Sequence, residues 1–534
     1  MSSYPPELSA SEGERLTEVV KDWSIAHGLT VRPPPNLVKA EADPSNILAT
    51  AVPVTLFPSP FPKLCFDQGL HVQKAYNELY ASISKDEDFL AQIVKEIGDS
   101  DDFTQALWKV HLKVKEEGYV QPLSLGLFRS DYMVHQERPD STPQIKQVEF
   151  NTIASSFGGL AAQTSLLHRY LSVHEYNLLS SPVTKGFTTL PDNHSTKGLA
   201  HGITQAYRAY GAAVTGNQKC VIFLTQDGER NIFDQKHLEY QVSGPPQSIL
   251  VFRLPFSQVL KHTKLAEGKG RQLLYTSPQL PHLTFEVAVI YMRCGYGPSD
   301  YPDQSAWDAR YHLERSAAIK CPTVLTQVAG TKKVQQVLAT PNTDDSSKSS
   351  ILHRFLSPAT HTALKDLEAT FTNIYPLDTS PAGKEARKLA LDAEECKKYV
   401  LKPQREGGGN NVYRTAIPGF LKSKPEDHWG AYILMELITP PPVKNTILRN
   451  GKLETGGVIC ELGIYGTCIW DQREKSSEGR GIQLNEQAGY LLRTKGDQSE
   501  EGGVAAGFGC MDSVALITGS GGKDTNANKS VGTS

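Results

Sequence analysis

The spacing of apolar residues changes along the chain, and each change marks an element. In "SDDFTQALWKVHLKVKEEG" (100–118), Phe103, Leu107, Val110 and Val114 fall on one stripe at helical spacing. Acidic residues precede the stripe and Gly118 follows it, which predicts where the helix starts and stops. Most of 1–120 reads as helices in the same way. From residue 123 the period drops to two. "LSLGLFRSDYM" (123–133) and "QIKQVEFN" (144–151) flank the turn-rich "QERPDSTP", the pattern of a β-hairpin. The small residues of "NTIASSFGGLAAQTS" (151–165) then lead into a helix through "LLHRYL".

A different design follows. "KGLAHGITQAYRAYG" (197–211) is helical, and "CVIFLT" (220–225) is a short buried strand that ends in the polar "QDGERNIFDQKHLEY". "EVAVIYMRCGYGP" (286–298) repeats it, an apolar strand running into a glycine-containing loop. Strand, helix and strand in this order predict a parallel α/β unit, whose ligand sites form at the C-terminal ends of strands. The polar "ATPNTDDSSKSS" (339–350) reads as a loop or linker. Beyond it, "YVLK", "AYILMELI" (431–438), "GGVICELGIYGTCIW" (456–470) and "LLRTKGDQSEEGGVAAG" (491–507) read as strands and loops of an antiparallel region. The tail 519–534 is expected to be disordered. The chain thus divides into 1–212, 213–330, 331–518 and 519–534. Its 534 residues exceed one ordinary core.

Composition narrows the function. Hydrophobic residues are 39% and charged residues 21%, a globular balance. A net charge of −3 gives no general attraction to nucleic acid or to an anionic membrane, so a bound anion must be held by local charge. The eight cysteines include no C-x-x-C pair, which speaks against a zinc site or a redox dithiol. The N-terminal "MSSYPPELSASEGERL" has neither an apolar signal core nor transit-peptide character. Runs such as "ILATAVPVTLF" (47–57) are too short and proline-broken to span a bilayer. A soluble, reducing, cytoplasmic setting is the expectation.

Three constellations carry candidate chemistry. In "YVLKPQREGGGNN" a short strand ends on Lys402, and Gly407, Gly408 and Gly409 let backbone approach a ligand. Successive amides in such a loop form an anion-binding concavity, with Lys402 and Arg405 adding charge. The glycines by themselves fit a solvent-exposed turn equally well. Glu406 is out of place against an anion unless a divalent cation stands between them, which points to nucleotide plus Mg²⁺. In "QVEFN", strand alternation places Gln147, Glu149 and Asn151 on one face and Val148 and Phe150 on the other. Carboxylate and amide oxygens at that spacing suit Mg²⁺, although alternation is also the commonest strand pattern. Arg129, Arg293 and Arg493 lie at or near strand ends, and arginine grips carboxylates bidentately. No Walker A loop opens a helix, no G-x-G-x-x-G follows a strand, and no nucleophile elbow is present. Chemistry by positioning and electrostatics fits better than covalent catalysis.

"LKPQREGGGNNVY", "FRSDYM", "VEFNTIASSFGGL", "ERNIFDQ", "QVAGTKKVQQ", "YILMELI", "LLRTK" and "GGVAAG" together resemble the eukaryotic glutathione synthetase family, over residues 45–512. The resemblance implies an α/β (α+β) ATP-grasp fold. Its antiparallel sheets sandwich ATP, beside a parallel α/β substrate-binding subdomain, N-terminal helices and a glycine-rich lid. It further implies a homodimer that joins γ-glutamylcysteine to glycine with ATP as co-substrate and two Mg²⁺ per active site.

Residue by residue, Glu149, Asn151 and Glu406 match the family's metal ligands, and Glu149 also counts among its ATP contacts. Lys332 and Lys402 match the lysines that hold ATP phosphates. Pro403, Gln404, Arg405, Glu406, Gly407, Gly408, Gly409, Asn410, Asn411 and Tyr413 match the lid. Met435, Glu436, Leu437, Ile438, Glu461, Lys495 and Glu501 match adenosine-side contacts. For the peptide substrate the matching positions are Arg129, Ile153, Ala154, Ser155, Ser156, Glu229, Arg230, Asn231, Gln235, Arg293, Cys294, Gly295, Tyr296, Arg493, Val504 and Ala505. Arg129, Lys402, Gly408 and Arg493 are the expected catalytic positions. Ala154 stands where the family has serine, Cys294 where it often has aspartate, and Glu501 where many relatives have aspartate. Related ligases use β-alanine or serine as the amine, an alternative the residues leave open. A non-catalytic nucleotide-binding protein is the other alternative, and the intact set Glu149, Asn151, Lys332, Lys402 and Glu406 argues against it.

Overall fold

The computed structural model describes residues 4–138, 140–174, 187–340, 351–406, 409–474, 479–499, 504 and 509–518. The predicted tail 519–534 and most of the predicted linker, 341–350, lie outside the described residues. The helix expected near residue 103 runs Asp102–Glu117 and buries Phe103, Leu107, Val110 and Val114. Asp101 caps it by accepting from the Thr104 amide at 2.8 Å, and Gly118 ends it with φ +83°.

The hairpin is present as well. Leu123–His135 pairs antiparallel with Gln144–Asn151. Its register steps from Asp131↔Glu149 to Tyr132↔Gln147, so Val148 bulges out unpaired. The strict alternation expected of "QVEFN" therefore stops at Val148. Phe150 does face the core and stacks on Tyr80 of the helix Lys63–Ile83, with ring centroids 3.8 Å apart.

Leu123–His135 is the seam of the molecule. Among the described residues it sits inside a 13-stranded mixed sheet. At its start, Ser124 pairs parallel with Lys320 of Ile319–Cys321. That strand continues the parallel set Thr284–Met292, Lys219–Thr225 and Val251–Pro255. Further along, the same edge takes the antiparallel partner Gln144–Asn151 from Arg129 onward, while the other edge pairs antiparallel with Lys452–Asp471. The parallel α/β unit and the strands foreseen in 456–470 and 491–496 are thus one continuous sheet, whereas "YVLK" and "AYILMELI" pair in a separate one.

A smaller antiparallel sheet is built from Ile374–Pro376, Ile433–Glu436, Tyr399–Lys402 and Val412–Tyr413. Alternation sorts Tyr399–Lys402 between two cores. Tyr399 and Leu401 pack with Ala386, Trp429 and Leu434, whereas Val400 packs with Ala339, Ile374 and Met435. Lys402 shares the face of Val400, which turns its side chain toward the helix Lys332–Ala339 and the large sheet.

Buried Asp512 ties four segments together. Its carboxylate accepts from Thr55 Oγ1 at 2.7 Å, Ser59 Oγ at 2.6 Å, Thr494 Oγ1 at 2.7 Å, and the amides of Ser59 at 3.3 Å and Ser513 at 2.7 Å. Burial pushes its carboxyl up to about 6 against those donors. Asp512→Ala leaves these donors facing a void. We expect it to destabilise the chain by about 3 kcal/mol in denaturant titration. A change under about 0.5 kcal/mol would mean that the clamp carries no load.

Candidate active site

The sheet seam gathers charge. Arg129 stands across from Asn151 and Asp131 across from Glu149 in the hairpin register. On the neighbouring strands Glu461 stands across from Arg493. Arg129 Nε donates to Asp131 Oδ1 at 2.6 Å and its Nη2 to Oδ2 at 2.8 Å. Arg493 Nε donates to Glu461 Oε1 at 3.0 Å, and its Nη2 lies 3.3 Å from Asp131 and 4.0 Å from Glu149.

Two lysines complete the cluster. Lys332, in the first turn of its helix, places Nζ 3.1 Å from Glu149 and 3.3 Å from Glu406. Lys402 Nζ donates to the Val148 carbonyl at 2.9 Å, and Gln335 Nε2 donates to the same oxygen at 3.3 Å. The bulge explains why that carbonyl takes side-chain donors, since Val148 has no cross-strand residue. Four basic side chains (Arg129, Arg493, Lys332 and Lys402) thus meet four acidic ones (Asp131, Glu149, Glu406 and Glu461).

Burial and pairing split the ionisation of these groups. Burial opposes charge on Glu149, but Lys332, Lys402 and Arg493 prevail and hold its carboxyl well below the usual range. At Glu406 burial prevails, with the like charge of Glu149 adding to it, and the carboxyl is pushed up to about 7 despite Lys332. Burial pulls the Lys402 ammonium down to about 8, opposed chiefly by Glu149. An arriving polyanion would restore its full charge.

The donor set fits a hard cation shared with phosphate. Glu406 Oε2 is buried without a hydrogen-bond partner. Asn151 Nδ2 donates to Asp131 Oδ2 at 3.0 Å and to the Arg129 carbonyl at 3.3 Å, which leaves its amide oxygen for another partner. Among the described residues, no group of three or more His, Cys, Asp or Glu side chains is arranged to hold a metal. Two carboxylates and an amide, completed by water and phosphate oxygens, are what Mg²⁺ accepts. Gln147 stays out of this set and donates to buried Ser130 Oγ at 2.9 Å.

Next to the cluster lies the loop 152–157, where Ala154 and Phe157 adopt φ of +52° and +73°. Asp234 holds it by accepting from the Phe157 and Gly159 amides, both at 2.8 Å, at the start of the helix Gly158–His174. Arg129 Nη1 donates to the Ser156 carbonyl at 3.2 Å. Arg293 donates to the Ser155 carbonyl at 3.2 Å and to Ser156 Oγ at 2.7 Å, and it lies 3.6 Å from Asp234. Glu229 accepts from the Asn231 amide at 2.7 Å and from Gln235 Nε2 at 2.6 Å, and Gln235 in turn accepts from Arg253 at 2.6 Å. Asp300 fixes the next loop through the Gly295 and Tyr296 amides, at 2.8 and 3.2 Å. Cys294 is fully buried in the core. Val504 is buried.

Some expected residues sit elsewhere. Arg405 is paired with Asp101, the cap of the helix Asp102–Glu117, and not with the lysines. Gln404 pins the loop by accepting from the Lys333 amide at 2.9 Å and donating to the Ala431 carbonyl at 2.8 Å. Asn411 Nδ2 donates to Tyr413 Oη at 3.3 Å. Glu436 accepts from Tyr375 and Asn373, each at 3.0 Å, while Met435 is buried. Arg230 Nε donates to the Arg32 carbonyl at 3.4 Å. Gly407, Gly408, Glu501 and Ala505 lie outside the described residues. Sequence reasoning passed over Asp131, Asp234 and Asp300. Asp131 had a signal, because it lies two residues from Arg129 and so on the same strand face. Asp234 and Asp300 had none, because their partners are backbone amides of folded loops and side chains, Arg293 and Gln226, brought in from distant segments.

Residues 10–516 match a sequence model described as eukaryotic glutathione synthase, ATP binding domain. The glutathione synthetase large chain of Schizosaccharomyces pombe is 40% identical over 533 residues, covering 97% of this chain and 99% of that one. The glutathione synthetase of Homo sapiens is 38% identical over 501 residues, covering 93% and 96%. A solved glutathione synthetase-like effector from Globodera pallida superposes with a TM-score of 0.70 at 22% identity, covering 96% and 98%, which supports the same fold.

Lys332→Met removes the cation between Glu149 and Glu406. We expect a loss on the order of 3 kcal/mol in the metal-free chain. Burial raises the folded-state value of Glu406 above its unfolded one, so protonation favours the fold and the penalty grows as pH rises through neutrality. Denaturant titrations at about pH 6 and about pH 8 should show the larger deficit at the higher pH. Equal or reversed deficits would rule out Lys332 as the counter-ion of Glu406.

Proposed function

The chain belongs to the eukaryotic glutathione synthase family, and from that membership we infer that it ligates γ-glutamylcysteine to glycine, converting ATP to ADP and phosphate. One observation carries the reading. The match runs nearly the full length of chain and relatives, and in support Lys332 lies within 3.3 Å of both Glu149 and Glu406. ATP is the co-substrate, in keeping with the ATP-binding family match.

The following assignments are proposals. Glu149, Asn151 and Glu406 would hold Mg²⁺, two ions per site, which would neutralise phosphate charge. Lys332 and Lys402 hold the phosphates. The segment from Lys402 to Asn411, with Tyr413, closes over them. Met435 to Ile438, Lys495 and Glu501 lie toward the adenosine. Glu461, which accepts from Arg493, also belongs to that adenosine group. Arg129, the 153–156 loop, Glu229, Arg230, Asn231, Gln235, Arg293, Cys294, Gly295, Tyr296, Arg493, Val504 and Ala505 take the dipeptide. The parallel strands of 213–330 supply much of the peptide side and 331–518 the nucleotide side. We also propose a homodimer in the cytoplasm. No helix among the described residues is long and apolar enough to cross a membrane.

The chemistry needs activation, because a carboxylate is a poor electrophile for an amine. The cysteinyl carboxylate of the dipeptide attacks the γ-phosphorus of ATP, and ADP leaves. Lys332 and Lys402 meet the charge on the transferring group. The glycine amine then attacks the acyl phosphate carbon. Arg129 and nearby loop amides are placed to steady the oxyanion of the tetrahedral intermediate. Loss of a proton from nitrogen and departure of phosphate complete the peptide bond. The acyl phosphate would hydrolyse in open water, which gives the glycine-rich segment its purpose as a cover. The Cys294 thiol is buried in the core, so contact from that position would come from its backbone.

ADP release with γ-glutamylcysteine and a panel of amines tests the reading. Glycine should support turnover well above serine or β-alanine. Preference for another amine would reassign the acceptor, and no amine-dependent release would end the ligase reading. Glu406→Gln should lower kcat by roughly 10²-fold or more. Asn151→Ala should raise the Mg²⁺ needed for half-maximal rate several-fold. Parent-like kcat and an unchanged Mg²⁺ titration would remove both residues from the metal.

A further inference from the structure

Asp131 is only 1% exposed and lies at the hub of the charged cluster. Its Oδ1 faces Arg129 Nε at 2.6 Å. Its Oδ2 faces Arg129 Nη2 at 2.8 Å, Asn151 Nδ2 at 3.0 Å and Arg493 Nη2 at 3.3 Å. A carboxylate accepts hydrogen bonds only, and here every partner is a donor. The neighbouring strand makes room for this arrangement. Gly463 stands opposite Asp131, and a Cβ there would lie 2.7 Å from Arg129 Cδ and 2.9 Å from Asp131 Oδ1.

We propose that Asp131 is a positioning residue that sets the geometry of both the peptide-binding and the metal-binding sides of the site. Its oxygens are taken up by these donors, so it acts through them. By taking Arg129 along its Nε–Nη2 edge, it fixes the plane of the guanidinium and leaves Nη1 for the Ser156 loop. The contact to Arg493 sets the second arginine against the first. At Asn151, two acceptors (Asp131 Oδ2 and the Arg129 carbonyl) both require the NH₂ group, so the amide can orient only one way. Its oxygen is thereby committed to the side away from those two acceptors, the orientation in which it could serve a metal with Glu149 and Glu406. One buried charge therefore couples the orientation of two arginines to the orientation of one metal-binding amide. The inference rests on the reading of Arg129 and Arg493 as peptide contacts and Asn151 as a metal ligand.

The test uses the full chain and three variants, with KM for γ-glutamylcysteine, kcat, the Mg²⁺ midpoint and thermal unfolding measured on each. Asp131→Asn keeps the shape but replaces an acceptor with an amide donor. The expected result is a rise of about tenfold in KM for the dipeptide together with a several-fold rise in the Mg²⁺ midpoint. A purely structural residue would lower the melting temperature and the active fraction, leaving KM and the Mg²⁺ midpoint within twofold of the parent, and that outcome overturns the proposal. Gly463→Ala keeps every charge and displaces the Arg129–Asp131 pair, so it decides the matter if Asp131→Asn does not fold. The same joint rise supports positioning, and parent-like values for both constants overturn it. Arg493→Gln separates the two levels. If it leaves the dipeptide KM unchanged, the reading of the arginine fails. If it raises KM while the Asp131 and Gly463 variants do not, the positioning role alone fails.

Discussion

Burying like charges together is tolerable only when each faces an opposite one, and that constraint shapes this molecule. Glu149, Glu406, Glu461 and Asp131 sit in one low-dielectric space with Lys332, Lys402, Arg129 and Arg493. An uncompensated member would cost several kcal/mol. The set must therefore be assembled from distant parts of the chain at once. Lys332 comes from a helix start, Lys402 from the end of a strand in the small sheet, Glu406 from the segment just after that strand, and the other five from four adjacent strands of the large sheet. The balance is incomplete at one point. Glu406 keeps a buried oxygen without a partner, and its carboxyl is held near neutrality by burial. A site that is nearly neutral without ligand, but short of a cation on one side and rich in lysine on the other, is suited to a metal–phosphate pair.

The sheet seam makes this assembly possible. Where the edge of Leu123–His135 changes from a parallel to an antiparallel partner, side chains of both regions converge. The bulge at Val148 then frees a carbonyl for Lys402 and Gln335, joining the small sheet and the 332–339 helix to the large one. The Tyr80–Phe150 stack braces this hairpin from the core side. Rigid elements hold the acids, while the glycine-rich segment that meets them is anchored by Gln404 and by the pairing of Arg405 with Asp101. That pairing ties the stem of the segment to an N-terminal helix, a link between regions that sequence spacing gives no reason to expect.

Much of the site could be read from the chain because its chemistry is written in short local patterns. Glu149 and Asn151 stand two apart on a strand. Lys402 and Glu406 flank the glycines. Arg129 ends an apolar run. The readings that needed revision each failed for a physical reason. Alternation placed Gln147 beside Glu149, but the bulge breaks the period and Gln147 bonds to Ser130. Local charge offers Arg405 to the anion, but the buried cap residue Asp101 competes for it. Asp131 was passed over because its importance lies in three partners drawn from three strands.

The sequence by itself determined the element types and the residue chemistry. Helical and strand periods, caps and glycine positions are local, and they follow from backbone geometry and the burial of one face. The tertiary structure alone decided which charges meet, which of them stay paired within the protein, and which oxygen is left over. Those outcomes depend on distances between segments up to hundreds of residues apart and on how far each group is withdrawn from water. Periodicity encodes neither. The orphaned oxygen of Glu406, the single permitted orientation of Asn151 and the space left by Gly463 exist only once the strands are side by side.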